Sequence, residues 1–250
     1  MTPGSSELYA KGYISMEAKP KNAADPKGAN SFSMRLLETV IETARLAGYK
    51  FVPLEEMQRE PQRQRQFSIR LDLDFKPPTL LPFVELGKRQ KIPFTLFVRV
   101  NGPYNPLWYT SYSAIAAMAS AGAEIGLHTN CVEWAAIHGI EPGRVLAAEL
   151  NLLKEWFEVK SIAPHRDVNY MHNTLPWLEQ NWAQLSKQHE LKYHAYDAEL
   201  LRHALYVNEG LSPHLSWRGQ TPFEAIETGK PIYMLLHPHW WWVDHPFERD

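Results

Sequence analysis

The sequence predicts an α/β protein with a mainly parallel sheet, on three observations. Apolar runs of strand length alternate with stretches of helical periodicity from about residue 67 onward. Several of those runs end in Asp, His or Arg rather than in turn residues. The chain of 250 residues is 44% apolar and 22% charged, a composition that supports a sizeable core. Periodicity fits an open doubly wound sheet and a closed barrel equally, and at this length one domain is the expectation.

The elements follow in order. Residues 17–31, rich in Lys, Pro, Asn and Gly, read as a loop, so residues 1–32 are taken as an N-terminal extension and 33–250 as one domain. Ser33 is the N-cap expected for a helix carrying Leu36, Leu37, Val40, Ile41 and Ala44, and Gly48 ends it. Phe51-Val52 reads as a short extended piece and residues 58–66 as a polar connection. Residues 67–74 alternate as a strand and turn acidic at Asp72 and Asp74. Helices are predicted at about 79–90, through Ile115–Met118, at about 142–157 and near 174–188. Strands are predicted at 94–98, 123–128, 161–163, 205–207 and 231–236.

Charge and composition exclude several classes. The net charge is −2 with no run of Lys or Arg, so nothing marks a nucleic-acid partner. No apolar stretch approaches a membrane span, no secretory signal opens the chain, and the cytoplasm is the default location. Cys131 is the single cysteine, so an intrachain disulfide is impossible.

What the strands end in points to chemistry. Asp72 and Asp74 end the first of the alternating series, His128 a later one, His165 and Arg166 the next, and His237 and His239 the last. The carboxyl ends of parallel strands gather on one face, and a carboxylate with imidazoles around one point is a divalent-metal site. Taken singly each signal is weak: an Asp-x-Asp is more often a cap or a solvated pair, and a lone strand-end His more often packs. The acidic pair also fits a glycosyltransferase, but only about 70 residues precede it and no Gly-rich phosphate loop is present. His237-Pro238-His239 invites comparison with metal amidohydrolases, which carry such a pair on the first strand, not the last.

The order of these segments resembles the polysaccharide deacetylase superfamily, carbohydrate esterase family 4 and its relatives, over residues 67–242. The resemblance rests on Arg70-Leu71-Asp72-Leu73-Asp74, Pro93–Val98, Glu124-Ile125-Gly126-Leu127-His128-Thr129-Asn130, Ala163-Pro164-His165-Arg166 and Leu235-Leu236-His237. The lead-in helix is similar to that of a divergent branch linked to surface polysaccharide, lipopolysaccharide and O-antigen biosynthesis. The resemblance implies a distorted, incomplete (β/α) barrel and a metal-dependent hydrolase removing an N-acyl, in the first place N-acetyl, group from an amino sugar, free or in an oligosaccharide. It implies a divalent metal ion, expected to be zinc, on Asp74, His128 and one further ligand. Asp72 would be the base and His237 the acid, with Arg166, Trp217, Leu235 and Trp240 binding substrate.

Two departures bear on this. Leu73 separates aspartates that are adjacent in the family, so which is base and which is ligand is left open. Val132 stands where the family has its second metal-binding His, so His165 is taken as the third ligand, with Glu133 and His138 as alternatives. Two other readings follow: a sugar-binding relative without catalysis, and an amidohydrolase of a small non-sugar amide.

Overall fold

In the computed structural model, residues 32–165, 173–209 and 216–243 are described. The chain opens with α1 (Met34–Leu46), β1 (Lys50–Phe51), α2 (Leu54–Arg59) and β2 (Gln66–Leu73). A 3-10 turn (Pro77–Leu80), α3 (Leu81–Gln90), β3 (Thr95–Arg99), α4 (Tyr109–Ser120) and β4 (Glu124–Thr129) follow. Then come α5 (Cys131–His138), α6 (Pro142–Lys154), β5 (Val159–Pro164), α7 (Thr174–His189) and β6 (Tyr193–His194). The last elements are α8 (Ala198–His203), β7 (Leu205–Asn208), α9 (Pro222–Glu227), β8 (Ile232–Leu236) and a 3-10 turn (Pro238–Trp240).

The eight strands form one sheet: seven run in the order β6-β5-β4-β3-β2-β8-β7, β1 pairs with β2 off this path, and every ladder is parallel. β1 pairs with Gln66 and Phe67 of β2, whereas β3 pairs with its residues 70–73. The sheet curls: Tyr233 on β8 donates its hydroxyl to the carbonyl of Ala195 just past β6, at 3.0 Å. Among the described residues no ladder joins β6 to β7, so side chains rather than strand pairing close the two sides. The architecture is the distorted, incomplete (β/α) barrel expected. No helix among the described residues is long and apolar enough to cross a membrane.

Period-two alternation sorts the residues of each strand between two cores. Ile69, Leu71 and Leu73 of β2, with Leu96 and Val98 of β3, join the large core beneath the helices. Phe97, Ala163, Tyr193 and Tyr233 form a second cluster in the concavity of the sheet, together with Val52, Leu54 and Met57. The predicted extended piece at 51–52 thus leads into α2, a helix the sequence reading missed. There the Leu54 amide donates to Thr95 Oγ1 at 2.9 Å. Ser33 caps α1 as predicted, accepting from the Leu36 amide at 3.1 Å, and Gly48 follows at φ +82°.

One glycine is dictated by this inner packing. A Cβ on Gly126 would lie 2.4 Å from the Phe97 ring and 2.7 Å from Ser161 Oγ. Gly126→Ala should therefore destabilise the protein by about 1–3 kcal/mol, the usual cost of overpacking. Denaturant unfolding measures this; a loss below about 0.5 kcal/mol would show that Phe97 moves freely.

Candidate active site

The carboxyl ends of β2, β4, β5, β7 and β8 all contribute to one polar centre. Asp72 and Asp74 are two residues apart on an extended segment, so both carboxylates project to the same side while Leu73 enters the helix-side core. The inserted residue therefore does not separate the two acids in space. Each has an oxygen 3.3 Å from His128 Nε2: Oδ2 of Asp72 and Oδ1 of Asp74.

Their other partners differ. Arg70, two residues before Asp72 and on the same side, donates from Nε to Asp72 Oδ1 at 2.7 Å and from Nη2 to Oδ2 at 2.6 Å. Burial alone would push the Asp72 carboxyl up, but Arg70 and then His128 outweigh it and hold the group below its ordinary value. Asp74 faces imidazoles instead, with Oδ1 3.6 Å from His165 Nε2 and Oδ2 3.7 Å from His237 Nε2. Burial again works upward, and His128, His165 and His237 more than reverse it, so Asp74 lies far below the carboxylate range.

The histidines are oriented from behind. His128 Nδ1 is 2.8 Å from the Ala163 carbonyl, which can only accept, so Nδ1 carries the proton there and Nε2 turns a lone pair toward the aspartates. Arg99 Nη1 stands 3.4 Å from His165 Nε2 and can only donate, so that nitrogen carries a lone pair, for which a bound cation would compete with Arg99. Asp74 Oδ1 is buried and accepts no hydrogen bond. With the two rings neutral, a carboxylate oxygen and two imidazole nitrogens thus face one point, an arrangement that suits a cation, whereas with the rings protonated the same contacts are ion pairs. Among the described residues, the group of ligand-type side chains that meets within 4.8 Å is Asp74, His128 and His165. One carboxylate and two imidazoles suit zinc and similar divalent ions.

His237, just past β8, faces Asp74 with Nε2 and donates from Nδ1 to Glu209 Oε2 at 2.8 Å. Glu209 also accepts from the His237 amide at 2.8 Å and from the Trp241 indole. Burial pulls the His237 imidazole down, but the Glu209 bond and charge overcome it and raise its pKa to about 9. Leu235, on the same side of β8 as His237, is buried outside both apolar cores. The Trp240 ring lies 4.4 Å from that of His237.

Other expected residues lie elsewhere. Trp217 is only 8% exposed and packs in the core against Phe32 and Trp241, at ring distances of 5.1 and 6.2 Å. His239 packs against Phe75 at 4.9 Å outside the converging group, and burial lowers its pKa to about 4. Neither of the alternative third ligands joins the group: His138 is exposed and stacks on Trp134, and Glu133 is buried on α5. Arg166 falls outside the described residues.

Arg70 and Glu209 were missed, although both were legible. Arg70 stands at the same period-two spacing as the acids, and Glu209 follows a predicted strand as Asp74, His165 and His237 do.

Behind β4, Glu149 of α6 is 3% exposed and accepts from Asn101 at 2.6 Å and from the Thr129 hydroxyl. Burial raises its carboxyl to about 7 from an ordinary 4.5. The folded state then holds this proton where the unfolded chain has released it. Stability should fall by about 3 kcal/mol as pH rises from about 4.5 to 7 and level off above. Glu149→Gln should flatten that part of the stability–pH curve; an unchanged slope would contradict the assignment.

No protein-family profile matches the sequence, and no curated protein matches it. Two solved structures share part of its chain path. One is a family 4 carbohydrate esterase from Bacillus anthracis, 16% identical over 79% of this chain and 76% of that one, with a TM-score of 0.43. The other is a CE4 esterase from Streptococcus mutans, 15% identical over 77% and 82%, with a TM-score of 0.47. At these identities the barrel fold stands on the strand order above.

Proposed function

We propose that this protein is a metal-dependent hydrolase that removes the N-acetyl group of an amino sugar. The observation that carries the reading is the convergence of Asp74, His128 and His165, flanked by one buried carboxylate locked to an arginine and one imidazole locked to a carboxylate. The sugar, and a place in surface-polysaccharide or O-antigen assembly, come from the motif resemblance in the sequence.

A divalent ion, zinc by its donor set, would be held by Asp74, His128 and His165 and supply Lewis-acid charge beside the amide carbonyl. Asp72, kept ionised by Arg70, takes a proton from the water that attacks the carbonyl carbon. As the C–N bond breaks, His237 gives its Nε2 proton to the departing amine, which is too basic to leave as an anion. Glu209 keeps His237 protonated and turned toward the site. Leu235 and Trp240 flank His237 where the acyl methyl and the sugar would lie.

The test is acetate and free-amine release from a panel of N-acetylated amino sugars, as monomers and as oligosaccharides. Zinc-loaded protein should release both in equal amounts, a chelator should stop the reaction, and added zinc should restore it. Release that is indifferent to chelation would overturn the metal role. No release from any member would overturn the substrate class.

A further inference from the structure

Distance to His128 does not tell the two aspartates apart, since each places an oxygen 3.3 Å from its Nε2, although Asp74 alone also stands 3.6 Å from His165 Nε2. The second difference is Arg70, which holds both oxygens of Asp72 and neither of Asp74. We propose that Arg70 selects the metal ligand: by occupying both oxygens of Asp72 it keeps that carboxylate out of the ion's coordination and leaves the task to Asp74. The inference rests on the metal reading above and deepens it.

Arg70 is built to hold one position. It is 0% exposed, and its guanidinium lies 5.1 Å from the Phe97 ring centre on one contact and 4.7 Å from that of Tyr196 on another. Its third nitrogen, Nη1, donates to the Tyr233 hydroxyl at 2.9 Å, and that hydroxyl in turn donates to the Ala195 carbonyl. Every donor direction of the fork toward Asp72 is fixed by this cage, which draws on β3, β8 and the segment after β6. A planar two-pronged donor matches both carboxylate oxygens at once, and a lysine ammonium does not. Gly126 belongs to the same arrangement, because its missing side chain gives room to the Phe97 ring that lies against Arg70.

With Arg70 in place, removing the charge of Asp72 should matter little to metal binding. With Arg70 gone, Asp72 becomes a free carboxylate beside His128 and should join the ion. The experiment measures zinc affinity by chelator competition and the visible spectrum of the cobalt(II)-loaded protein. The forms compared are wild type, Asp72→Asn, Arg70→Met, Arg70→Lys and the Arg70→Met/Asp72→Asn double variant, each checked for folding by circular dichroism.

Asp72→Asn should bind zinc within threefold of wild type and leave the cobalt spectrum unchanged. Arg70→Met should bind more than threefold tighter with an altered cobalt spectrum, and the double variant should restore the wild-type spectrum. Should Arg70→Met not fold, Arg70→Lys, which keeps the charge but not the two-pronged grip, should show the altered spectrum. A loss above threefold in Asp72→Asn overturns the proposal, as does an Arg70 variant with the wild-type spectrum. Wild type that binds neither ion overturns the metal reading itself; wild type that binds, with either of those results, overturns this inference alone.

Discussion

Asp72→Asn is expected to lower deacetylation by about 10²- to 10⁴-fold, the usual contribution of a positioned general base, while zinc stays bound. The asparagine has nearly the same shape and still offers Arg70 one oxygen, but it takes up no proton from water. Its second expected effect is on stability. Arg70 is fully buried, and Asp72 is the anion that compensates it. Removing one partner of a buried ion pair typically costs about 3–5 kcal/mol, so the assay belongs at a temperature where the variant is folded by circular dichroism. Retained zinc with lost turnover separates a base from a ligand. Unchanged turnover would remove Asp72 from the chemistry.

Asp74→Ala and His128→Ala should behave in the opposite way, losing zinc and activity together. Even partners one bond removed from a metal commonly govern affinity by about 10- to 100-fold, so loss of a direct ligand should weaken binding by at least about 100-fold. Asp74 Oδ1 is committed to no hydrogen bond within the fold, while Oδ2 faces His237, so metal content rather than activity is the readout specific to ligation. Metal analysis after dialysis, together with acetate release, reads both effects. Zinc content equal to wild type in both variants would remove the proposed site altogether.

Much of this arrangement was written in strand alternation. Arg70-Leu71-Asp72-Leu73-Asp74 is a period-two pattern, and on a strand it places the three charged groups on one side and the two leucines on the other. Read that way, Leu73 is no disruption of an acidic pair but the residue that keeps both acids facing the site. Reading the strand ends singled out Asp72, Asp74, His128, His165 and His237, and the fold brings these five together. Applied once more to residues 205–208, it would have reached Glu209.

Other features were not legible locally. Trp217 fits an aromatic wall by its place in the sequence, yet the isolated bridge between Glu209 and Trp217 and the packing of Phe32 and Trp241 draw it into the core. Two strands are only two residues long, β1 and β6, and neither offers a periodicity to detect. The helices α2, α5, α8 and α9 span six to eight residues, too short for a clear helical repeat. The closure of the sheet depends on contacts such as Tyr233 with Ala195, 38 residues apart, which no local pattern encodes.

The central claim is that one divalent ion sits between Asp74, His128 and His165. Anomalous diffraction at the zinc edge from zinc-loaded crystals tests it most directly. One strong peak is expected, bounded by Asp74 Oδ1 and the Nε2 atoms of His128 and His165, with Asp72 still gripped by Arg70. A peak ligated by Asp72 with Arg70 displaced, a peak at Glu133 or His138, or no peak at zinc saturation would contradict it.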